Sequence, residues 1–174
     1  MLKIVKYSSE IKVIGVVSDT HVPTRARFIP PKLYRLFEGV QLILHAGDIV
    51  DEKVLSELRL VAPVEAVAGN MDPVHLHNSL GRFKLVRIGK LTIGLMHGDT
   101  VGRRAGFAQA IELFKPECLA AIVFGHLHQP VSKYHGGVLC FNPGSAVDPR
   151  QMARPSCGRL LIDSAQISGE ILYL

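Results

Sequence analysis

KVIGVVSDTH, residues 12–21, is an apolar run that stops abruptly in hydroxyl, carboxylate and imidazole groups. The run from Lys12 to Ser18 has the length and the Val/Ile content of a buried strand. The pattern recurs. QLILH at 41–45 leads into Ala46-Gly47-Asp48, and Val64–Ala68 leads into Gly69-Asn70-Met71-Asp72. Leu91–Met96 ends at His97-Gly98-Asp99, and Leu119–Phe124 ends at Gly125-His126-Leu127-His128. Strands that lie side by side bring such ends to one sheet edge, where open α/β sheets bind ligands.

The segments between these strands supply helices. Pro31 opens one through Phe37, stopped by Gly39. Asp51 reads as the N-cap of another, with Val50 and Leu55 as a hydrophobic staple. Val54, Leu55, Leu58 and Val61 share its inner face, and Pro63 ends it. Phe107, Ala108, Ile111 and Phe114 mark a further amphipathic helix before Pro116. The second half favours hairpins, around Gly89-Lys90, Gly136-Gly137 and Ser164-Ala165. Alternating elements followed by hairpins predict a mixed α/β protein with two packed sheets and helices outside. A chain of 174 residues suits one domain spanning 1–174.

Composition narrows the function classes. Hydrophobic residues make up 48% and charged residues 20%, as in soluble globular proteins. No apolar run approaches the roughly 20 residues of a membrane span. Met1–Glu10 lacks the apolar core and cleavage site of a secretory signal, so a cytoplasmic protein is expected. Cys118, Cys140 and Cys157 are odd in number and widely spaced, which argues against a disulfide framework or thiolate zinc site. The formal charge of +5 suits an anionic partner. With scattered basic residues, four Tyr, seven Phe and no Trp, a nucleic-acid platform is disfavoured. A homodimer or larger homo-oligomer is compatible with this composition, which locates no interface.

The strand-end clusters contain two Asp, one Asn and four His that form a coherent ligand set: Asp19, His21, Asp48, Asn70, His97, His126 and His128. Oxygen and imidazole donors suit Mn, Zn, Fe or Ni better than Ca. Seven donors exceed what one ion takes from protein, whereas two ions sharing a carboxylate would use them all. Two divalent ions bring +4 against −2 from Asp19 and Asp48, leaving a positive pocket for phosphate. Paired ions of this kind sit roughly 3.5–4 Å apart and lower the pKa of a bound water to about 7. Alone, a D-x-H or a G-D reads as an ordinary turn; five clusters at five strand ends read as a site.

These clusters, in this order, resemble the calcineurin-like metallophosphoesterases, above all their small single-domain bacterial and archaeal phosphodiesterase branch. The likeness runs from Val13 to about Arg150. Phe141-Asn142-Pro143-Gly144-Ser145, followed by Pro149-Arg150, is similar to that branch's late loop, and Pro143-Gly144 fits the middle of a type II turn. The resemblance implies a four-layer α-β-β-α sandwich of two mixed sheets flanked by helices. It implies one ion on Asp19, His21, Asp48 and His128, and another on Asp48, Asn70, His97 and His126. Asp48 would bridge them beside a hydroxide that attacks phosphorus in line. Asp48 and Asn70 are thus the expected catalytic residues, and two divalent ions the expected cofactors, Mn first, then Zn, Ni, Fe or Mg. The expected substrate is a small phosphate ester, a diester before a monoester.

Two positions depart from the family pattern. Many members carry G-N-H-E, whose His protonates the leaving group; here Met71 stands in its place and has no proton to give. The His-Gly-His of many members is His97-Gly98-Asp99, which leaves Asp99 to metal, a basic neighbour or water. Arg25, Arg103, His45 and Asp99 are the expected substrate contacts, with Arg27 and Arg104 as further basic residues after the first and fourth clusters. His75, His77 and His135 are expected on the surface or in loops. The alternatives are a non-catalytic scaffold on the same fold, as in a eukaryotic trafficking-coat subunit, and a nuclease.

Overall fold

The computed structural model describes residues 2–101, 106–115, 117–164 and 166–174. Its elements run β1 (Lys3–Tyr7), β2 (Val13–Val17), α1 (Pro31–Leu36), β3 (Leu42–His45), α2 (Lys53–Leu58), β4 (Val64–Ala66), α3 (Val74–Leu80), β5 (Phe83–Ile88) and β6 (Leu91–Met96). They continue as α4 (Gly106–Glu112), β7 (Ala121–Val123), β8 (Val131–His135), β9 (Val138–Asn142), β10 (Ser156–Asp163) and β11 (Gln166–Tyr173).

The strands form two mixed sheets. One has the order β1-β5-β6-β7-β9-β8, the other β11-β10-β2-β3-β4. In the second, β2, β3 and β4 run parallel, with Val17 opposite His45 and His45 opposite Ala66. In the first, β6, β7 and β9 run parallel, with Leu95 opposite Val123 and Val123 opposite Phe141. The carboxyl ends of these strands carry all five polar clusters. The three hairpins read from sequence form as β5–β6, β8–β9 and β10–β11.

Strand alternation divides the apolar side chains among three layers of core. Ile14, Val16, Leu42, Leu44, Val86, Ile93, Leu95, Val123, Phe141 and Leu160 pack between the sheets. Val17, Ile43 and Ala66 point outward against Leu33 and Phe37 of the α1 segment, Val54, Leu55 and Leu58 of α2, and Leu76 of α3. On the far face Leu85, Met96, Ile122 and Cys140 pack against Ala110 and Phe114 of the α4 segment. The result is helices, sheet, sheet, helix. Each helical layer seats a phenyl ring on a strand glycine: a Cβ at Gly15 would lie 2.9 Å from Phe37, and one at Gly94 would lie 3.0 Å from Phe114. A polar strut joins the sheets at one edge, where Glu65 of β4 accepts from the Tyr7 hydroxyl and from Lys84 Nζ, each at 2.7 Å.

Several expectations shift. Asp51 lies one residue outside the α2 cap, Glu52, and its Oδ1 accepts the Lys53 amide at 2.9 Å. The strand at 64–68 stops at Ala66, and β1 and α3 are additional elements. His75 and His77 therefore stand on a helix. Cys118, Cys140 and Cys157 are free thiols.

Candidate metal centre

All seven expected ligands converge where the carboxyl ends of β2, β3, β4, β6 and β7 meet. Asp19 and His21 follow β2, Asp48 follows β3, and Asn70 follows β4. His97 directly follows β6, and His126 and His128 follow β7. His21 Nε2 lies 3.8 Å from Asp19 Oδ1 and 3.6 Å from Asp48 Oδ2. His128 Nε2 lies 3.2 Å from Asp19 Oδ1, and His97 Nε2 lies 3.3 Å from Asp48 Oδ2. Asn70 Oδ1 is 3.2 Å from His97 Nε2. The imidazoles form two pairs, His21 with His128 at 5.4 Å and His97 with His126 at 5.2 Å between ring centroids. Asp48 stands between them.

The backbone is bent to achieve this. Asp19, His21, Asp48, His126 and His128 hold φ between 44° and 68°. Left-handed backbone costs a residue with a side chain about 1–2 kcal/mol. Such conformations persist where surrounding bonds over-determine them, typically at functional sites. Those bonds are present: Asp19 N–H donates to Gly47 O and His21 N–H to Asp48 O, both at 3.0 Å. Glycines allow the loops to close in. A Cβ at Gly69 would lie 2.2 Å from Asp48 Oδ1, and one at Gly125 would lie 1.9 Å from Ser18 Oγ.

Neighbouring groups set the tautomers. His97 Nδ1–H donates to Ala46 O at 2.7 Å, and His128 Nδ1–H donates to Asp148 O at 2.5 Å. Both rings therefore turn Nε2 inward, the orientation found in metal-ligating histidines. Asp19 Oδ2 is satisfied by Ser18 Oγ–H at 2.6 Å and the His126 amide at 3.0 Å. Among the described residues, by contrast, Asp19 Oδ1, His21 Nε2 and His128 Nε2 are buried without a hydrogen-bond partner.

Three unpaired buried donors facing one another are costly unless a cation lies among them. The electrostatics agree. Burial opposes charge on His97, yet Asp48 and Asp19 lift its pKa to about 9. Burial likewise opposes ionisation of Asp19 and Asp48, but the imidazoles hold both carboxyls below the usual value. For His21 and His126 burial prevails and keeps the rings neutral. Among the described residues, two sets have donor atoms mutually within 4.8 Å and could hold an ion: Asp19, His21 and His128, and Asp19, Asp48 and His97. The donor chemistry fits divalent transition metals.

A cleft of about 180 Å³ opens over the site, with His21, Asp48, Asn70, His126, Arg25 and Arg150 on its walls. Met71, also on the wall, is 56% exposed. Among the expected substrate contacts, Arg25 lines this cleft, and its Nε lies 3.9 Å from Asp148 Oδ2. His45 is fully buried beneath it, bonded to Thr20 Oγ1 and the Gly47 amide, so its ring supports the floor instead of meeting substrate. Asp99 has a basic neighbour, pairing with Arg82. Arg103 and Arg104 lie outside the described residues. Two contributors had escaped the sequence. Asp72 accepts the amides of Asp48, Ile49, Val50 and Gly69. Arg150 lines the cleft, its only sequence signal being its place after Pro149 in the late loop.

Residues 13–165 match the model of the calcineurin-like phosphoesterase superfamily domain. A probable metallophosphoesterase of Methanothermobacter thermautotrophicus is 40% identical over 160 residues, 91% of each chain. Vps29 of Chaetomium thermophilum superposes with a TM-score of 0.76 at 22% identity, covering 92% of this chain and 96% of that one. Vps29 of Entamoeba histolytica, solved in complex with Zn²⁺, superposes with a TM-score of 0.73 at 28% identity, covering 92% and 98%.

Proposed function

The chain belongs to the calcineurin-like phosphoesterase superfamily, and on that premise we propose that it is a cytoplasmic, single-domain enzyme that hydrolyses phosphodiesters with two divalent ions. Asp19, His21, Asp48 and His128 would hold one ion, and Asp48, Asn70, His97 and His126 the other. The observation that carries this reading is the trio of buried, partnerless donor atoms on Asp19, His21 and His128. Bound divalent ions supply Lewis acidity toward phosphoryl oxygens and an acidified water as nucleophile. Mn²⁺ comes first for an oxygen and imidazole set; the Zn²⁺ complex of Entamoeba Vps29 supports Zn²⁺ as the next candidate.

The protein's own groups do the positioning. The Ala46 and Asp148 carbonyls lock the His97 and His128 rings. Asp72 ties the loop carrying Asp48 to the loop carrying Asn70. With Asn70 Oδ1 turned to His97, its Nδ2, without a partner among the described residues, would donate to a phosphoryl oxygen. Arg25 at the rim attracts the anionic substrate. Met71 provides no proton at the mouth, which favours esters with weakly basic leaving groups.

The test is turnover of bis(p-nitrophenyl) phosphate by protein stripped of metal and reloaded with Mn²⁺. Activity should appear on reloading, vanish on chelation, and be lost in Asp48→Asn and His126→Ala with the fold retained. A reloaded protein that binds metal but hydrolyses no ester would favour the scaffold reading that the likeness to Vps29 supports.

A further inference from the structure

The geometry points to Arg150 as the guanidinium that grips the phosphoryl group of the substrate, an assignment that rests on the phosphoesterase reading above. Arg150 lines the cleft together with Asp48, Asn70 and His126. Its guanidinium makes one hydrogen bond among the described residues, from Nη1 to the His126 carbonyl at 3.5 Å. That is long for such a bond, and its acceptor is neutral. Among the described residues Arg150 enters no ion pair, whereas Arg25 has Asp148 beside it and Arg82 has Asp99. An uncompensated charge with most of its five N–H donors uncommitted thus stands at the rim of a site built for an anion.

The backbone supports the same reading. Arg150 holds φ at +51°, and its amide donates to Asp148 Oδ1 at 3.3 Å. Glycine would adopt that conformation at no steric cost, yet a long cationic side chain occupies it. The loop is also tied to the metal cage. Asp148 O receives the His128 ring proton, and the Ser145 hydroxyl donates to Asp19 O at 2.8 Å. Arg150 therefore stands in fixed register with the groups expected to hold metal. A guanidinium fork matches the two non-bridging oxygens of a phosphodiester, which a point charge does not.

The experiment compares wild type, Arg150→Met and Arg150→Lys, each loaded with Mn²⁺. Inorganic phosphate binding is measured by calorimetry, and KM and kcat are measured on bis(p-nitrophenyl) phosphate. Loss of one charge-assisted contact should weaken phosphate binding in Arg150→Met by about tenfold to a hundredfold, with a matching fall in kcat/KM. Arg150→Lys should fall between, and Mn²⁺ stoichiometry and melting temperature should not move. Wild-type phosphate affinity in Arg150→Met overturns the assignment. Phosphate binding that depends on Arg150, in a protein that hydrolyses no ester, leaves the assignment standing and overturns the phosphoesterase reading. Turnover by the wild type, with Arg150→Met unchanged in both affinity and KM, does the reverse.

Discussion

The Asp72 carboxylate accepts the backbone N–H of Asp48 at 3.1 Å, so one acidic side chain fixes the main chain that carries another. The same group takes the Ile49 and Val50 amides at 2.7 Å and the Gly69 amide at 2.8 Å. Four amides that would otherwise be unsatisfied depend on it, and Asp72 is 7% exposed. In Asp72→Asn one acceptor oxygen becomes an NH₂, which faces two backbone N–H groups whichever way the amide turns. Unfolding free energy should fall by about 2–3 kcal/mol, and Mn²⁺ affinity should weaken as the Asp48 loop loosens. Urea titration and metal titration read the two effects separately. Unchanged metal affinity would mean that the loop holds Asp48 without Asp72.

Much of the candidate site was legible because each expected ligand sits where a strand ends, and apolar runs make strand ends visible. Asp72 was not, because its four partners are backbone groups, three of them more than twenty residues away. The fold shows the same division. β2, β3, β6 and β7 are short apolar runs. β1, KIVKY, is a largely exposed edge strand whose partner β5 lies some eighty residues on, so pairing more than pattern makes it a strand. α3, VHLHNSL, buries only Leu76 and carries no apolar stripe. Asp51 was misplaced by one residue because Asp51 and Glu52 both precede the helix and either can cap it.

Removal of metal should destabilise the fold. Bound ions would take up Asp19 Oδ1, His21 Nε2 and His128 Nε2, which among the described residues are buried without a hydrogen-bond partner. At a free Mn²⁺ concentration a hundred times its Kd, the expected gain is about 2.7 kcal/mol per site. In Asp19→Asn the gain at the ion assigned to Asp19, His21, Asp48 and His128 should disappear, since Asp19 supplies one of its donor atoms. Melting temperature with Mn²⁺ and with chelator checks both statements. Equal values for the wild type in the two conditions would count against metal binding in this cage.

Acid should destabilise the chelated protein partly through His45. Its Nδ1 accepts the Gly47 amide at 3.2 Å, so its one proton sits on Nε2, 3.1 Å from Thr20 Oγ1. A second proton would point at an N–H group. Burial pushes the pKa down to about 3, against 6.5 in an unfolded chain. Between these values the unfolded state binds a proton that the folded state refuses, so stability falls as pH drops from 6.5 toward 3. The full effect is on the order of 5 kcal/mol. In His45→Asn, whose carbonyl can still accept from Gly47, the urea midpoint should fall less steeply between pH 6.5 and 4. An identical slope in the variant would remove His45 from the account.

Gly125→Ala tests how closely the two sheets must approach at the cage. The added carbon would lie 1.9 Å from Ser18 Oγ and 2.7 Å from Asp19 Oδ2. Neither atom is free to yield. The Ser18 hydroxyl already bonds Asp19 Oδ2 at 2.6 Å and Ala46 O at 3.2 Å, and Asp19 is fully buried. The strand ends must therefore separate, at about 1–3 kcal/mol. Separation moves His126 and His128 away from Asp19, so Mn²⁺ affinity should fall with stability. Adding Ser18→Gly removes the nearer clash and leaves the one against Asp19. The double variant should then regain part of its stability while metal binding stays weak. Full recovery of metal affinity would show that Ser18 alone transmits the strain, and that the sheets have room to spare at Asp19.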